Sequence, residues 1–226
     1  MEKHGFLIID KATGWTSHDV VAKSRNILGI RKIGHLGTLD PLATGVLVLA
    51  VGREATKKVS EYMKADKEYL VEIELGKSSD TYDSEGEVTV SPTDYPAITF
   101  QQVEAELDAF WGASMQMPPA FSALKINGQR AYKLARAGKE VKLAPREVQM
   151  QGKDIEFEFP FIRFTVEVSS GTYIRSLAHD IGQVLGSGAI MTALRRTRVG
   201  QFKLEDAITL EELAKNPSEA PLIPVT

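Results

Sequence analysis

The chain has 226 residues, 43% of them hydrophobic, which is enough to bury a substantial core in one large domain or in one domain with an insertion. It contains no cysteine, so disulfides and thiolate metal sites are excluded, and no apolar run approaches the roughly 18 residues of a membrane span. The formal net charge of −3 does not by itself indicate a nucleic-acid partner, so any such sign must come from how the charge is distributed.

The N-terminal part of the chain predicts three strands with two helices between them. Residues 6–10 are apolar and predict a strand, and Ser17 is placed to cap a helix that ends at Gly29. Residues 46–51 form the unbroken apolar run typical of a buried strand, and a helix is expected near residues 54–63. The partly alternating residues 69–75 predict a further strand.

The turn before the apolar strand carries a carboxylate, Asp40, in a glycine-lined setting. Pro41 restricts the backbone of Asp40, while Gly34, Gly37 and Gly45 permit the close approach of a backbone or a planar ligand. An isolated Asp-Pro pair is usually an Asx-turn. In residues 34–47 the Asp-Pro pair lies among several glycines, and this setting favours a functional loop.

The second half of the chain mixes strands and helices without βαβ regularity. A capping box at residues 99–102 opens a helix that is expected to reach residue 110 and to end at Gly112. Residues 161–168 alternate as a strand does, residues 176–185 predict a helix, and Thr209 opens a short terminal one. This pattern predicts an α+β class with a mixed or antiparallel sheet flanked by helices.

The charges are segregated along the chain. Residues 125–146 contain seven basic residues and one acidic residue, whereas residues 66–87 contain eight acidic and two basic ones. Tyr132 lies within the basic segment, and RNA-binding proteins combine phosphate contacts with aromatic stacking. We therefore interpret residues 112–147 as an inserted basic lobe that closes over RNA, the alternative being a merely solvated helix face.

Other chemistries find little support in the sequence. The four histidines show no pair at metal-binding spacing, and the acidic residues 80–87 miss the EF-hand register, so we interpret them as a solvated turn. No P-loop and no nucleophile-elbow serine motif is present. The sequence thus predicts a site without metal and without cofactor.

Several blocks of the sequence resemble the TruB family of tRNA pseudouridine synthases. They are Gly-His-Leu-Gly-Thr-Leu-Asp-Pro-Leu-Ala-Thr-Gly-Val-Leu at 34–47, together with residues 5–11, 14–21, 67–69, 75–76, 80–83, 116–119, 122–125, 170–178 and 194–197. One departure is Ala12, which stands where the family usually has proline. The resemblance implies the pseudouridine synthase fold, a single catalytic domain over residues 1–226 and conversion of uridine to pseudouridine in the T-loop of tRNA, at position 55.

The resemblance also implies roles for particular side chains. Asp40 is the catalytic carboxylate, and Arg175 is the cation that pairs with it and keeps it ionised. Tyr69 stacks on the target base and is a candidate for proton transfer, while Tyr173 lines the same pocket. Two more residues contact or replace the flipped base: Leu194 and His35.

RNA-backbone contacts are expected from clustered cations. The candidates are Lys11, Lys125, Arg130, Lys133, Arg136, Lys139, Arg195 and Arg196. The partner implied is the T-arm stem-loop of tRNA, with no membrane. The chain ends about two dozen residues after Phe202, so we expect no further RNA-binding domain, no guide RNA, a monomer and, without a signal-peptide pattern, a cytoplasmic location.

Two other classes of function stay open at this point. A non-catalytic tRNA-binding or tRNA-folding module would share the basic segment but would not need Asp40, Tyr69 and Arg175. A carboxylate-dependent nucleoside hydrolase would need a second carboxylate as general acid, and none lies in the motif.

Overall fold

The fold is described from a computed structural model, which covers residues 4–91, 97–126 and 128–225. The strands are β1 (Gly5–Lys11), β2 (Ile33–Leu36), β3 (Thr44–Val51), β4 (Lys67–Leu75), β5 (Lys77–Ser79), β6 (Val88–Val90), β7 (Gly112–Gln116), β8 (Lys125–Ile126), β9 (Gln129–Arg130), β10 (Arg146–Glu158), β11 (Phe161–Val168), β12 (Ala189–Val199) and β13 (Phe202–Lys203). The α-helices are α1 (Ser17–Leu28), α2 (Gly52–Lys57), α3 (Val59–Tyr62), α4 (Phe100–Asp108), α5 (Ala131–Arg136), α6 (Ile174–Val184) and α7 (Leu210–Lys215). Short 3₁₀ turns occupy Leu204–Asp206 and Pro217–Glu219.

The structure divides into two compact units. The first unit comprises residues 1–70 and 194–226, and the second comprises residues 71–193. The expectation of a single catalytic domain stays a prediction.

In the first unit, the sheet is organised around β3. This strand pairs antiparallel with β1 and with β2, and parallel with β12 at Arg195 and Arg196. The apolar side chains of the strands form a buried core with Phe6, Val48 and Phe202 among its members. Because β2 and β3 are neighbours, the loop between them starts and ends in hydrogen-bonded backbone.

In the second unit, the strands follow the order β4-β11-β10-β7. The long β10 pairs antiparallel with both β11 and β7, and two small hairpins are formed by β5 with β6 and by β8 with β9. Gly152 in β10 is required by a close approach, because a Cβ at this position would overlap the ring of Trp111.

The predicted class, α+β with a mixed or antiparallel sheet flanked by helices, is confirmed, and the sheet is mainly antiparallel with a parallel pairing of β3 and β12. Several predicted boundaries were wrong. Thr16 rather than Ser17 is the N-cap of α1, through a capping box with Asp19, although the helix does end at a left-handed Gly29. The helix expected near residues 54–63 is split into α2 and α3, and α4 ends at Asp108.

The segment predicted as an insertion, residues 112–147, begins within the sheet. Its first residues form β7, a strand of the second unit's sheet, and the long β10 that begins at Arg146 was not predicted.

Within the described part of the chain, no helix is both long enough and apolar enough to cross a membrane.

Candidate active site

Asp40 lies in the connection between β2 and β3, residues 37–43, which we call the Asp40 loop. Leu39 and Ala43 are buried and anchor the loop from within, and the Ala43 amide donates to the Asp40 carbonyl across 3.1 Å. Gly45 follows with a φ of +93°, and a Cβ there would overlap the backbone of Arg196. The glycine is therefore required by close packing of β3 on β12.

The N-terminal residues of the chain support the Asp40 loop from one side. The Ser17 hydroxyl accepts a hydrogen bond from the Leu39 amide at 2.8 Å and lies 3.0 Å from the Leu39 carbonyl, to which it can donate. The Lys11 ammonium donates to the Pro41 carbonyl at 3.2 Å, and the Gly14 amide donates to the same oxygen at 2.9 Å. Backbone groups on both sides of Asp40 are thus hydrogen-bonded, which restricts how far the loop can move.

Arg196 supports the Asp40 loop from the other side. Its side chain is 1% exposed, and its guanidinium donates to the Gly37 carbonyl at 3.1 Å and to the Val46 carbonyl at 2.7 Å. These acceptors lie before and after Asp40 in the chain, so one planar group ties the two flanks of the loop together.

A second buried cation, Lys67, lies near Arg196, since both side chains come within 4.0 Å of the place that a Cβ on Gly37 would take. Its ammonium donates to the Met63 and Ala65 carbonyls. Burial, and then the positive charge of Arg196, lower the pKa of Lys67 to about 8, although Asp66 opposes the shift. Two like charges are thus held close together here, and backbone carbonyls are their main hydrogen-bond acceptors.

The other sequence-predicted residues of the first unit are His35, Tyr69 and Leu194. His35 in β2 shares a hydrogen bond with the Thr38 hydroxyl at 3.1 Å; burial first, then the charges of His18 and Arg196, lower its pKa, which favours the neutral ring. Tyr69 in β4 is 8% exposed and Leu194 in β12 is 9% exposed. The roles of these side chains toward a base stay predictions.

In the second unit, Arg175 occupies the first turn of α6 and is buried. Its guanidinium donates to the Thr81 carbonyl at 2.8 Å and to the Phe121 carbonyl at 3.1 Å, and its Nε lies 3.5 Å from a carboxylate oxygen of Asp83. The side chains of Arg175 and Asp83 are only 7% and 4% exposed. The carboxylate of Asp83 reduces the free-energy cost of burying the Arg175 guanidinium.

Tyr173, the N-cap residue of α6, is held through its backbone by Gln116. The Gln116 side chain donates to the Tyr173 carbonyl at 3.0 Å and accepts from the Tyr173 amide at 2.8 Å. The guanidinium of Arg146 lies 5.6 Å from the centroid of the Tyr173 ring, in a cation–π arrangement. The tyrosine predicted to line the base pocket is thus fixed at both its backbone and its ring.

The structural roles of Asp83, Gln116 and Ser17 were not predicted from the sequence. Asp83 lies in the segment interpreted as a solvated turn, yet it is 3% exposed and also accepts hydrogen bonds from the Thr81 hydroxyl and the Glu85 amide. Residues 80–83 are one of the blocks that carry the family resemblance, and this was the signal for Asp83 in the sequence. No charge pattern near Asp83 points to an arginine 92 positions away.

Some of the candidate RNA-backbone residues are exposed, and others are buried or paired with a carboxylate. The exposed ones lie in the second unit: Lys125, Arg130, Lys133, Arg136 and Lys139. In the first unit, Lys11 and Arg196 are each 1% exposed, and Arg195 is paired with Asp10 at 2.7 Å. Contact of these eight residues with RNA stays a prediction. For Lys11 and Arg196, burial argues against a direct contact with phosphate.

Across the described ranges, no group of three or more His, Cys, Asp or Glu side chains is arranged to hold a metal ion.

Family models match nearly the whole chain. One described as TruB family pseudouridylate synthase (N terminal domain) matches residues 25–174, and one described as tRNA pseudouridylate synthase B C-terminal domain matches residues 175–220. Among curated relatives, tRNA pseudouridine synthase B of Opitutus terrae is 44% identical, covering 99% of this chain and 94% of that protein. The same-named protein of Arthrobacter sp. is 47% identical, covering 93% and 71%.

Solved structures share the fold. A structure titled as an archaeal box H/ACA sRNP Nop10-Cbf5 complex matches with a TM-score of 0.70 and 31% identity over 95% of this chain. A Cbf5-Nop10-Gar1 complex matches with a TM-score of 0.72 and 34% identity over 94%. The chain spans about half the length of these solved chains, 54% in each case.

Proposed function

This chain belongs to the TruB family of pseudouridine synthases, and we propose that it converts a uridine in the T-loop of tRNA, at position 55, to pseudouridine. The observation that carries the proposal is the support of the Asp40 loop. One carboxylate stands in a loop whose backbone is bonded to side chains from three elements, α1, β1 and β12. Such a loop can present its carboxylate in one reproducible position.

The reaction is an isomerisation that balances without any added reagent. The N1–C1′ bond of the uridine breaks, the detached uracil turns, and its C5 bonds to C1′ and loses its proton, while N1 gains one. The base is thus both the leaving group and the returning nucleophile. A carboxylate can assist by bonding covalently to the sugar or the base, or by removing the 2′ proton of the sugar, and both routes need the same closely held oxygen.

The target uridine must leave its stack before a carboxylate can reach C1′. Unstacking costs a few kcal/mol, and stacking on an aromatic ring returns about 1 to 3 kcal/mol. Tyr69 is the ring that we assign to this task, and its burial suits a residue that needs little reordering when the base arrives. His35, with a pKa lowered by burial, would fill the vacated space as a neutral ring.

Affinity for the T-arm would come from the exposed cations of the basic lobe. Lys133 and Arg136 lie on α5, and the Arg136 guanidinium lies 5.6 Å from the centroid of the Tyr132 ring. A cation beside an aromatic face suits the phosphate and base contacts of a folded RNA loop. We further propose that the chain acts as a monomer, in the cytoplasm and without a guide RNA.

The test uses purified components only. The protein and an unmodified T-arm stem-loop are incubated with no other RNA or protein, and pseudouridine is mapped by chemical labelling. We expect a single modified position, and a stem-loop with cytidine at that position should stay unlabelled. A protein that binds the stem-loop but leaves every uridine intact would instead support the tRNA-folding module.

A further inference from the structure

Two buried serines lie on the same face of α1, one at its start and one two turns later. Ser17 is 1% exposed and Ser24 is 0% exposed, and residues seven positions apart in a helix share a face. Their hydroxyls differ sharply. The Ser17 hydroxyl bonds to the Asp40 loop, whereas the Ser24 hydroxyl has no hydrogen-bond partner among the described residues.

The Ser17 hydroxyl bonds to both backbone polar groups of one residue. It accepts from the Leu39 amide at 2.8 Å and lies 3.0 Å from the Leu39 carbonyl, to which it can donate. This is the pattern that a neighbouring strand would offer, supplied here by a single side chain. Leu39 has little freedom to tilt while both bonds hold, because its own side chain is also buried.

The Leu39 carbonyl belongs to the peptide plane that joins Leu39 to Asp40. That plane is rigid, so holding its oxygen, together with the Leu39 amide, restricts the movement of the nitrogen and the Cα of Asp40. The Asp40 carboxylate projects from this Cα. The bond to Ser17 therefore restricts the direction in which the carboxylate points, although Ser17 itself lies 23 positions earlier in the chain.

Ser17 is itself firmly placed. Thr16, immediately before it, caps α1 and shares a capping box with Asp19, whose carboxylate accepts from the Thr16 amide at 3.0 Å. Because Thr16 performs the capping, the Ser17 hydroxyl is released to bond elsewhere. The Thr-Ser pair thus divides two tasks between neighbouring side chains.

We infer that Ser17 is a positioning residue for the reaction, one that aligns the Asp40 carboxylate with the ribose through the Leu39 peptide; this rests on the proposed function. Ser17 itself touches no reacting atom. A displacement of about 1 Å at a reacting group can cost about 100-fold in rate. Loss of the hydroxyl should therefore lower turnover and leave RNA affinity nearly unchanged.

The experiment compares three variants with the wild type. Ser17→Ala removes the hydroxyl, and Ser17→Cys replaces it with a slightly larger, weakly hydrogen-bonding thiol in a chain that has no other cysteine. Ser24→Ala is the matched control, because it deletes an equally buried hydroxyl from the same helix. For each protein, kcat and KM on the T-arm stem-loop, the melting curve, and deuterium uptake at the peptide containing Leu39 are measured.

We expect both Ser17 variants to be folded, to lose about 10- to 100-fold in kcat with KM changed less than about threefold, and to exchange the Leu39 amide faster. Ser24→Ala should match the wild type in kcat and in exchange at Leu39. Should Ser17→Ala fold poorly, the Cys variant carries the same comparison.

Folded Ser17 variants with wild-type kcat, or with unchanged exchange at Leu39, would overturn the inference. A loss of kcat equal in Ser24→Ala would do the same, since it would indicate a general effect on α1. A wild-type protein that forms no pseudouridine would refute the proposed function instead. In that case, faster exchange at Leu39 in the Ser17 variants would still show that the Ser17 hydroxyl restrains the Asp40 loop.

Discussion

Replacing Asp83 with asparagine should destabilise the protein strongly, because it removes a carboxylate that pairs with the buried Arg175. The side chains of Asp83 and Arg175 are 4% and 7% exposed, and Nε of Arg175 lies 3.5 Å from Oδ2 of Asp83. Removing one partner of a buried ion pair typically costs about 3 to 5 kcal/mol. Asparagine keeps an oxygen that can still accept from the Glu85 amide, so we expect the lower end, about 3 kcal/mol.

The assay is thermal unfolding followed by circular dichroism. For a chain of this length, 1 kcal/mol shifts the Tm by about 2 to 4 °C, so Asp83→Asn should lower it by about 6 to 12 °C. The control is Glu140→Gln, which breaks an ion pair with Lys142 at the same distance of 3.5 Å but with side chains 76% and 82% exposed. Exposed pairs contribute little, so this variant should melt with the wild type.

Burial, rather than distance, distinguishes these two ion pairs. If Asp83→Asn melted within about 2 °C of the wild type, the loss would be far below about 3 kcal/mol and burial of this pair would not have the effect expected of it. If Glu140→Gln lost as much in Tm as Asp83→Asn, the exposed and buried pairs would be equivalent, which would also refute the expectation.

Two further predictions concern the cations. Ala substitution of Lys133, Arg136 and Lys139 in the basic lobe should weaken T-arm binding and reduce the slope of log affinity against log salt by up to about 0.7 to 0.9 for each phosphate that is no longer neutralised; equal slopes and affinities would show that the lobe does not touch RNA. The pKa of Lys67 is lowered to about 8, below about 10.4 in the unfolded chain, so the unfolded chain binds more protons between these values. The free energy of unfolding should therefore rise with pH there, by up to about 1.4 kcal/mol per pH unit, relative to Lys67→Met; parallel curves for both proteins would contradict this.

Local signals in the sequence predicted much of the fold. The alternating residues of β11, the capping boxes at Thr99 and Thr209 and the end of α1 at Gly29 are each encoded within a few neighbouring residues. The strand β10 was missed because its pattern includes Gly152, and the reason for this glycine is the ring of Trp111, 41 positions away in the chain. Such a requirement cannot be seen in a short sequence window.

In the candidate site, too, local features could be predicted from the sequence, whereas contacts between distant residues could not. The sequence predicts Asp40 and its glycines as candidates, since the loop's composition and its family resemblance are both local, and the catalytic role of Asp40 stays a prediction. The assignment of the cap to Ser17 was wrong because two adjacent hydroxyl residues could each cap α1, and Ser17 bonds instead to Leu39 across the fold. Likewise, burial of Lys11 and Arg196 depends on carbonyl acceptors that only the folded chain brings near them.

The proposed function depends above all on the carboxylate of Asp40, which we expect to drive the isomerisation. The measurement is pseudouridine formation and RNA affinity for the wild type and Asp40→Asn on the same T-arm stem-loop. We predict that the variant forms no pseudouridine while its RNA affinity stays within about tenfold of the wild type, because phosphate contacts elsewhere dominate binding. Retained pseudouridine formation, or a loss of affinity that matches the loss of activity, would contradict the catalytic role of Asp40.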